Sequence, residues 1–298
     1  MAENYYEMQI QEIKIHDKKF PERVRRIHQP PPALFTRGSI MPEDENAVAI
    51  VGARKCTSYG RQVAYDLAHE LAKRGITVVS GMALGIDGEA HKGALDAGGR
   101  TIAVLGSGVD EKSIYPHTHI SLAERISKNG AVLSEFPPGT PSYPSNFPQR
   151  NRIVSALSLG VVVVEAGEKS GSLITANFAL EQGKEVFAVP GPIYSPASAG
   201  ANRLIQQGAK LIRHADDILE ELNLPLSEVR PQKIEPENKE EKLIMDALAN
   251  EALNIDDIIK TTRLAPSVAL TALTMLELKK VVKNIGQNTY AIIINNSK

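Results

Sequence analysis

Three apolar runs between Ala47 and Gly108, each closed by glycines, constrain this chain more than any other feature. The stretch reads AVAIVGARKCTSYGRQVAYDLAHELAKRGITVVSGMALGIDGEAHKGALDAGGRTIAVLGSG. The runs are Ala47–Val51, Ile76–Ser80 and Thr101–Leu105, and helical patterns follow the first two. Strand, glycine turn, helix and strand again is the order of a parallel sheet with helices packed on both faces. Ligands of such sheets bind outside the carboxyl ends of the strands. A site is therefore expected at the loops Gly52–Gly60, Gly81–Gly88 and Gly106–Gly108.

Composition narrows the function. With 34 Lys and Arg against 35 Asp and Glu, the net charge is −1. Such a chain does not coat nucleic acid by bulk charge, and any polyanion must meet basic residues clustered in space. No apolar run approaches the roughly 20 residues of a membrane span. The start, MAENYYEMQIQEIKI, has neither the basic lead nor the apolar centre of a signal peptide. One cysteine, Cys56, precludes an internal disulfide. A cytoplasmic protein is the expectation.

Residues 1–46 are read as an arm laid on the main domain, with Pro30, Pro31 and Pro32 forbidding a helix and Ala33–Arg37 forming an edge strand. The first loop, GARKCTSYG, places Arg54 and Lys55 at a strand exit, with Thr57 or Ser58 as N-cap of the next helix. Amide groups of that loop and helix start are positioned for an anion. No G-x-G-x-x-G follows the strand, which argues against a dinucleotide site. Cys56 sits beside two cations, a setting that lowers a thiol pKa, but no partner base is identifiable. In SGMALGIDGEAHKGAL, Gly81 and Gly85 permit close approach to a ligand. Asp87 and His91, four apart, read as a capping carboxylate and a packing imidazole, with a catalytic pair as the alternative. His117 and His119 lack the neighbours of a metal site, and no cofactor is expected.

The long loop EFPPGTPSYPSNFPQRNR delivers Phe147, Arg150, Asn151 and Arg152 to a helix start. An aromatic face, two guanidinium groups and an amide there suit a single nucleic-acid strand, whose bases stack and whose phosphates pair with arginine. The competing reading has Phe147 stapling the helix into the core. GVVVVE is the most strand-like run and is expected to be central; Ser170, Gly171 and Ser172 after it open a helix as a further anion cradle. Residues 47–222 form the main domain, 223–241 a Pro- and Glu-rich linker, and 242–298 three helices and two strands in winged-helix order. The last of those helices, SVALTALTMLELKK, lacks the Arg, Asn or Gln with which a duplex reader contacts bases. Protein contact or self-association fits it better.

Taken together, VGARKCTSYG, SGMALGIDGEAHKGAL, TIAVLGSGVD, Tyr115-Pro116, SEFPPGTP, FPQRNRIVSALS, VVVVEAGEKSGSLITANFALEQGKEVFAVPG and GANRLIQQGA resemble the bacterial DNA processing protein A (DprA, or Smf) family. They run in the family's order over about 47–215. The resemblance implies an extended Rossmann-like sheet and a C-terminal winged helix. It also implies a homodimer that binds single-stranded DNA and loads the RecA recombinase in natural transformation, with no catalysis. By the same resemblance Arg54 is the arginine that contacts DNA, Phe147, Arg150, Asn151 and Arg152 line the site, and Gly171 and Ser172 form its GSL turn. The expected site is Gly52, Arg54, Lys55, Gly81, Gly85, Phe147, Arg150, Asn151, Arg152, Ser170, Gly171 and Ser172. The rival readings are a phosphoribohydrolase-type nucleotide enzyme, whose glutamate KSGSLITAN lacks, and a scaffold that docks proteins through the winged helix.

Overall fold

The computed structural model describes residues 10–224, 236–279 and 281–292. By its contacts the chain divides into two compact units, 1–226 and 227–298. The first contains β1 (Gln11–Lys14), α1 (Glu22–Arg25), β2 (Ala33–Gly38), β3 (Ala47–Val51), α2 (Ser58–Lys73), β4 (Thr77–Ser80), α3 (Ile86–Asp96), β5 (Thr101–Val104), α4 (Ile120–Lys128) and β6 (Gly130–Ser134). It continues with α5 (Asn146–Leu157), β7 (Gly160–Val163), α6 (Ser172–Glu181), β8 (Glu185–Ala188), α7 (Ala199–Gln206), β9 (Lys210–Leu211) and α8 (Ala215–Glu221).

The nine strands form one sheet in the order β1-β2-β6-β5-β4-β3-β7-β8-β9. All pairings from β6 to β9 are parallel, and β1 and β2 are antiparallel additions. Side-chain alternation divides the core. Along β3, Ala47, Ala49 and Val51 face a layer that includes Ile153 and Leu157 of α5 and Ala176 and Ala179 of α6. Val48 and Ile50 face the opposite layer with Ala64, Leu67 and Leu71 of α2 and Ala90 of α3. Burial on both faces is why β3 through β8 read as continuous apolar runs.

Two expectations need correction. Ala33–Gly38 is not an edge strand, because β1 pairs along its outer side. Residues 10–46 pack Ile13, Phe20, Val24 and Leu34 into the core of the first unit. GVVVVE is interior but not central; the middle position belongs to β4, and the run lies between β3 and β8.

In the second unit α9 (Lys239–Ala247), β10 (Leu253–Asn254), α10 (Ile255–Thr262), α11 (Pro266–Leu278), β11 (Val282–Gly286) and β12 (Thr289–Ile292) enclose their own core around Ile244, Ile258, Leu273 and Leu276. Its first helix starts at Lys239, three residues before the expected 242, because the Asn238 side chain caps it by accepting the Glu241 N–H at 2.8 Å. Most of the expected linker, 225–235, lies outside the described residues. Among the described residues no helix is long and apolar enough to cross a membrane.

A buried histidine ties α3 to the sheet. The Thr101 hydroxyl donates to the Val78 carbonyl (2.7 Å), so it must accept from Nδ1–H of His91 at 2.7 Å. His91 Nε2 is then an unprotonated, unpartnered atom in the core. Burial, reinforced by the charges of His119 and Arg150, holds the imidazole down to about 3. The unfolded chain therefore binds a proton on this residue between about pH 6.5 and 3 that the folded chain refuses. The stability His91 contributes is complete above that window and is lost as pH falls through it. Its share of the unfolding free energy should fall by about 1.4 kcal/mol per pH unit. Urea unfolding across pH should show a flatter acid limb for His91→Gln than for the wild type; identical limbs would refute the assignment.

Candidate nucleic-acid interface

The carboxyl ends of β3 to β8 share one edge of the sheet. The chain leaves β3 for β4 on one side, while β7 lies on the other. The crevice above β3 and β7 is thus the topological switch point, where sheets of this type bind ligands. Here it is filled from within. Glu165, 2% exposed at the exit of β7, sets its carboxylate on the N-terminus of α2. It accepts the Thr57 N–H at 2.8 Å and the Thr57 hydroxyl at 2.6 Å. Thr57 in turn caps α2 by accepting the Gly60 N–H at 3.1 Å. A Cβ on Gly60 would stand 2.3 Å from the glutamate. The anion expected at this helix start is therefore a side chain of the protein itself.

The second glycine loop is used in the same way. Asp87, buried in the first turn of α3, accepts the Ala83 N–H at 3.4 Å, with the amides of Gly81 and Gly52 nearby. Burial pushes its carboxyl up, while Arg150 and these amides oppose the rise. Gly85 has φ +79°, and a Cβ there would lie 2.4 Å from the Ala53 carbonyl. At Gly81 a Cβ would lie 2.3 Å from Nη2 of Arg150. Gly52, Gly81 and Gly85 thus serve internal packing rather than lining an open cradle, a correction to the expected site.

Helix α5 holds the expected cluster in its first two turns, anchored by Asn146 Nδ2 donating to the Gly106 carbonyl at 2.9 Å. The four side chains part company there. Arg150, 4% exposed, donates through Nη1 to the carbonyls of Gly81 (2.7 Å) and Val104. Burial lowers it to about 10, so it stays charged at neutral pH. Arg152, 8% exposed, grips Glu135 with both terminal nitrogens at 2.9 and 2.7 Å. The expectation that both guanidiniums reach for phosphate is corrected: both are buried, with Nη1 of Arg150 held by two carbonyls and both terminal nitrogens of Arg152 by Glu135. Phe147 is half-buried, and Asn151 reaches the Gly171 carbonyl at 3.2 Å. That contact ties α5 to the turn before α6, where the Ser170 and Ser172 hydroxyls bond each other at 2.8 Å and Gly171 is exposed.

What the edge presents to solvent is an aromatic step under a cation. The Arg54 guanidinium lies 4.7 Å over the Phe147 ring, and Tyr115, 46% exposed, stands beside that ring at 6.1 Å and a 53° tilt. Arg54 and Lys55 are exposed and have no acidic partner among the described residues. Tyr115 was not among the expected site residues. Its only signal in the sequence was the Tyr-Pro pair, and the neighbourhood with Phe147 is made by the tertiary fold. His117 is exposed, whereas His119 donates Nδ1–H to the Met82 carbonyl at 2.9 Å. No cluster of His, Cys, Asp or Glu suited to a metal occurs among the described residues. Burial pushes the Cys56 thiol up, overriding the nearby cations expected to lower it.

In the second unit α11 exposes Val268, Leu270, Met275 and Leu278. Its one charge within the helix, Glu277, accepts the Asn284 N–H at 2.9 Å. A groove of about 300 Å³ runs beside it, lined by Glu240, Val268, Thr271 and Met275 among others.

These placements separate the arginines energetically. Arg150→Ala should cost about 3–5 kcal/mol, because it strands a buried carboxylate and two carbonyls. Arg54→Ala should cost less than about 1 kcal/mol, the scale of an exposed cation–π contact. Urea unfolding of the two variants measures the difference, and equal losses would contradict the burial of Arg150.

Comparison with known proteins places this geometry. The family described as DNA recombination-mediator protein A matches residues 11–223, and the DprA winged helix domain matches 230–285. The DNA processing protein DprA of Bacillus subtilis (strain 168) is 47% identical over 219 residues, 73% of this chain and 73% of that protein. Protein Smf of Escherichia coli (strain K12) is 47% identical over 208 residues, 70% of this chain and 55% of the relative, so the match spans about half of that protein. Among solved structures, DNA processing protein A from Streptococcus pneumoniae superposes with a TM-score of 0.68 at 39% identity, covering 72% of this chain and 74% of that one. DNA processing protein A from Helicobacter pylori, whose structure concerns its single-stranded DNA binding mode, gives 0.64 at 32% identity over 73% and 97%. On these matches the chain belongs to the DNA recombination-mediator protein A family.

Proposed function

We propose that this chain binds single-stranded DNA on the carboxyl edge of its sheet and delivers the bound strand to the RecA recombinase. The observation that carries the reading is the exposed Arg54 stacked over Phe147 beside Tyr115. A base has a π-face for the rings, and its phosphate has a cation without a competing carboxylate. The starts of α2 and α3 already face the carboxylates of Glu165 and Asp87. A compact mononucleotide then finds neither of those two starts free for its phosphate, whereas a linear strand needs only a surface of stacking and cationic steps. This favours binding over phosphoribohydrolase-type catalysis. Arg150 and Arg152 act in this reading as positioning residues that fix α5. Lys55, Asn151, Ser170, Gly171 and Ser172 border the strand. Two such edges in a homodimer would engage one strand together and raise its affinity through effective concentration. The work belongs in the cytoplasm, where the recombinase acts.

A second reading, docking of a protein by the winged helix, is favoured by the apolar exposed side chains of α11. The two are separable because each unit has its own core.

Fluorescence anisotropy with labelled oligothymidylate and a matched duplex, across a salt series, tests the site. The wild type should prefer the single strand. Phe147→Ala should weaken it by about 5- to 100-fold, the worth of one stacked base. Arg54→Ala should weaken it and reduce the salt slope by about one. Equal affinity for duplex, or indifference to both substitutions, would sink the site. Deleting 227–298 should leave single-strand binding in place; its loss would move the function to the second unit. Recombinase delivery is read as faster RecA filament nucleation on protein-bound oligonucleotide, and an unchanged rate would remove that step.

A further inference from the structure

The most exposed large apolar side chains among the described residues of the first unit are not at the Phe147 step. They are Ile193 and Tyr194, 82% and 93% exposed, in the loop that leaves β8. Because β8 is parallel to β7, this loop emerges on the same carboxyl edge, on the far side of the switch point from Phe147.

The loop has a pinned base and a presented tip. The Tyr59 hydroxyl donates to the Pro190 carbonyl at 3.0 Å, fastening the loop to the first turn of α2, which follows the Arg54 loop. Asn202 clamps Gly191 twice, accepting its N–H at 3.1 Å and donating to its carbonyl at 3.0 Å. The Ser195 N–H bonds the Pro192 carbonyl at 3.0 Å, closing a turn whose two corner residues are Ile193 and Tyr194. Pro190, Pro192 and Pro196 limit the backbone further. An aromatic ring held in water on a braced turn is preorganised to stack, since little ordering is left for binding to impose.

Charge agrees with a polyanion. From Val186 to Ala215 the sequence contains no acidic residue. Arg203, on α7 directly after the loop, is exposed and has no acidic partner among the described residues. With adjacent strands about 4.8 Å apart, the four steps from β5 to β8 put roughly 20 Å of edge between the Phe147 platform and this turn. Arg54 lies between them, at the exit of β3.

Resting on the single-strand reading, the geometry points to Tyr194 as a second base-stacking step. A single strand runs from Tyr115 and Phe147, past Arg54, over the filled switch point to Tyr194, with Arg203 beside its phosphates. This step engages only strands long enough to span the edge, so it adds length dependence that the first step alone lacks.

The test compares Tyr194→Ala, Tyr194→Phe and wild type by anisotropy with oligothymidylates of about 4 and about 16 nucleotides, the range of single-strand site sizes. Tyr194→Ala should bind the short oligomer like the wild type and lose about 5- to 100-fold on the long one. Tyr194→Phe, which keeps the ring, should bind both like the wild type. Equal affinities for Tyr194→Ala and wild type on the long oligomer would overturn the proposal, as would equal losses on both lengths. A changed mass of Tyr194→Ala in sedimentation would also overturn it, assigning the turn to contact with a second copy. A wild type that binds neither length would defeat the parent reading as well. Binding that depends on Arg54 but not on Tyr194 would defeat this step alone.

Discussion

Arg150 is a guanidinium driven into the core, and the working edge of the sheet depends on it. It fastens α5 to the carbonyls that follow β4 and end β5, and it offsets the buried carboxylate of Asp87 in the first turn of α3. Phe147 lies three residues before it and four before Asn151, the spacings that make neighbours on a helix. Fixing Arg150 therefore fixes the ring that Arg54 covers and the amide that reaches Gly171. A buried charge pair adds little net stability, since desolvation offsets its attraction. Its value is in the single geometry it permits. Glycine at position 81 is part of the same device, because a side chain there would occupy the guanidinium's place.

The two carboxylates at the helix starts set the character of the surface. Glu165 and Asp87 satisfy amides that in nucleotide-binding sheets are left for phosphate. In the single-strand reading, recognition then moves outward to the side chains on the loops. Cations without carboxylate partners among the described residues, and exposed rings, remain there: Arg54 and Lys55 at the exit of β3, Tyr115 after β5, Tyr194 after β8. An edge built from separated steps suits an extended ligand better than a compact one. The near-zero net charge agrees with that reading, in which attraction would come from local placement and not from a bulk field.

The second unit is organised by different chemistry. Lys279, beyond α11, bonds Glu241 at 2.7 Å and Glu237 at 2.8 Å, leaving the exposed side of α11 to Val268, Met275 and Leu278. Cations in a winged helix that reads duplex DNA face outward toward phosphate; here the terminal lysine of α11 is turned to its own domain's carboxylates.

The sequence by itself determined the alternation of apolar runs and helices and the parallel sheet, because two-sided burial and glycine turns are local signals. It also narrowed the cap of α2 to Thr57 or Ser58 and placed Phe147 to Arg152 on one helical unit, through short-range spacing. Tertiary structure alone decided which way those side chains point. Arg150 and Arg152 were indistinguishable from Arg54 as cations, yet the fold buried two against distant carbonyls and a carboxylate and left one over a ring. The same holds for β1 covering β2, for the thiol of Cys56 rising with burial, and for Glu165 sealing a helix start 108 residues away in sequence. Desolvation and long-range pairing are set by what else arrives at a point in space, and no local pattern of residues encodes that.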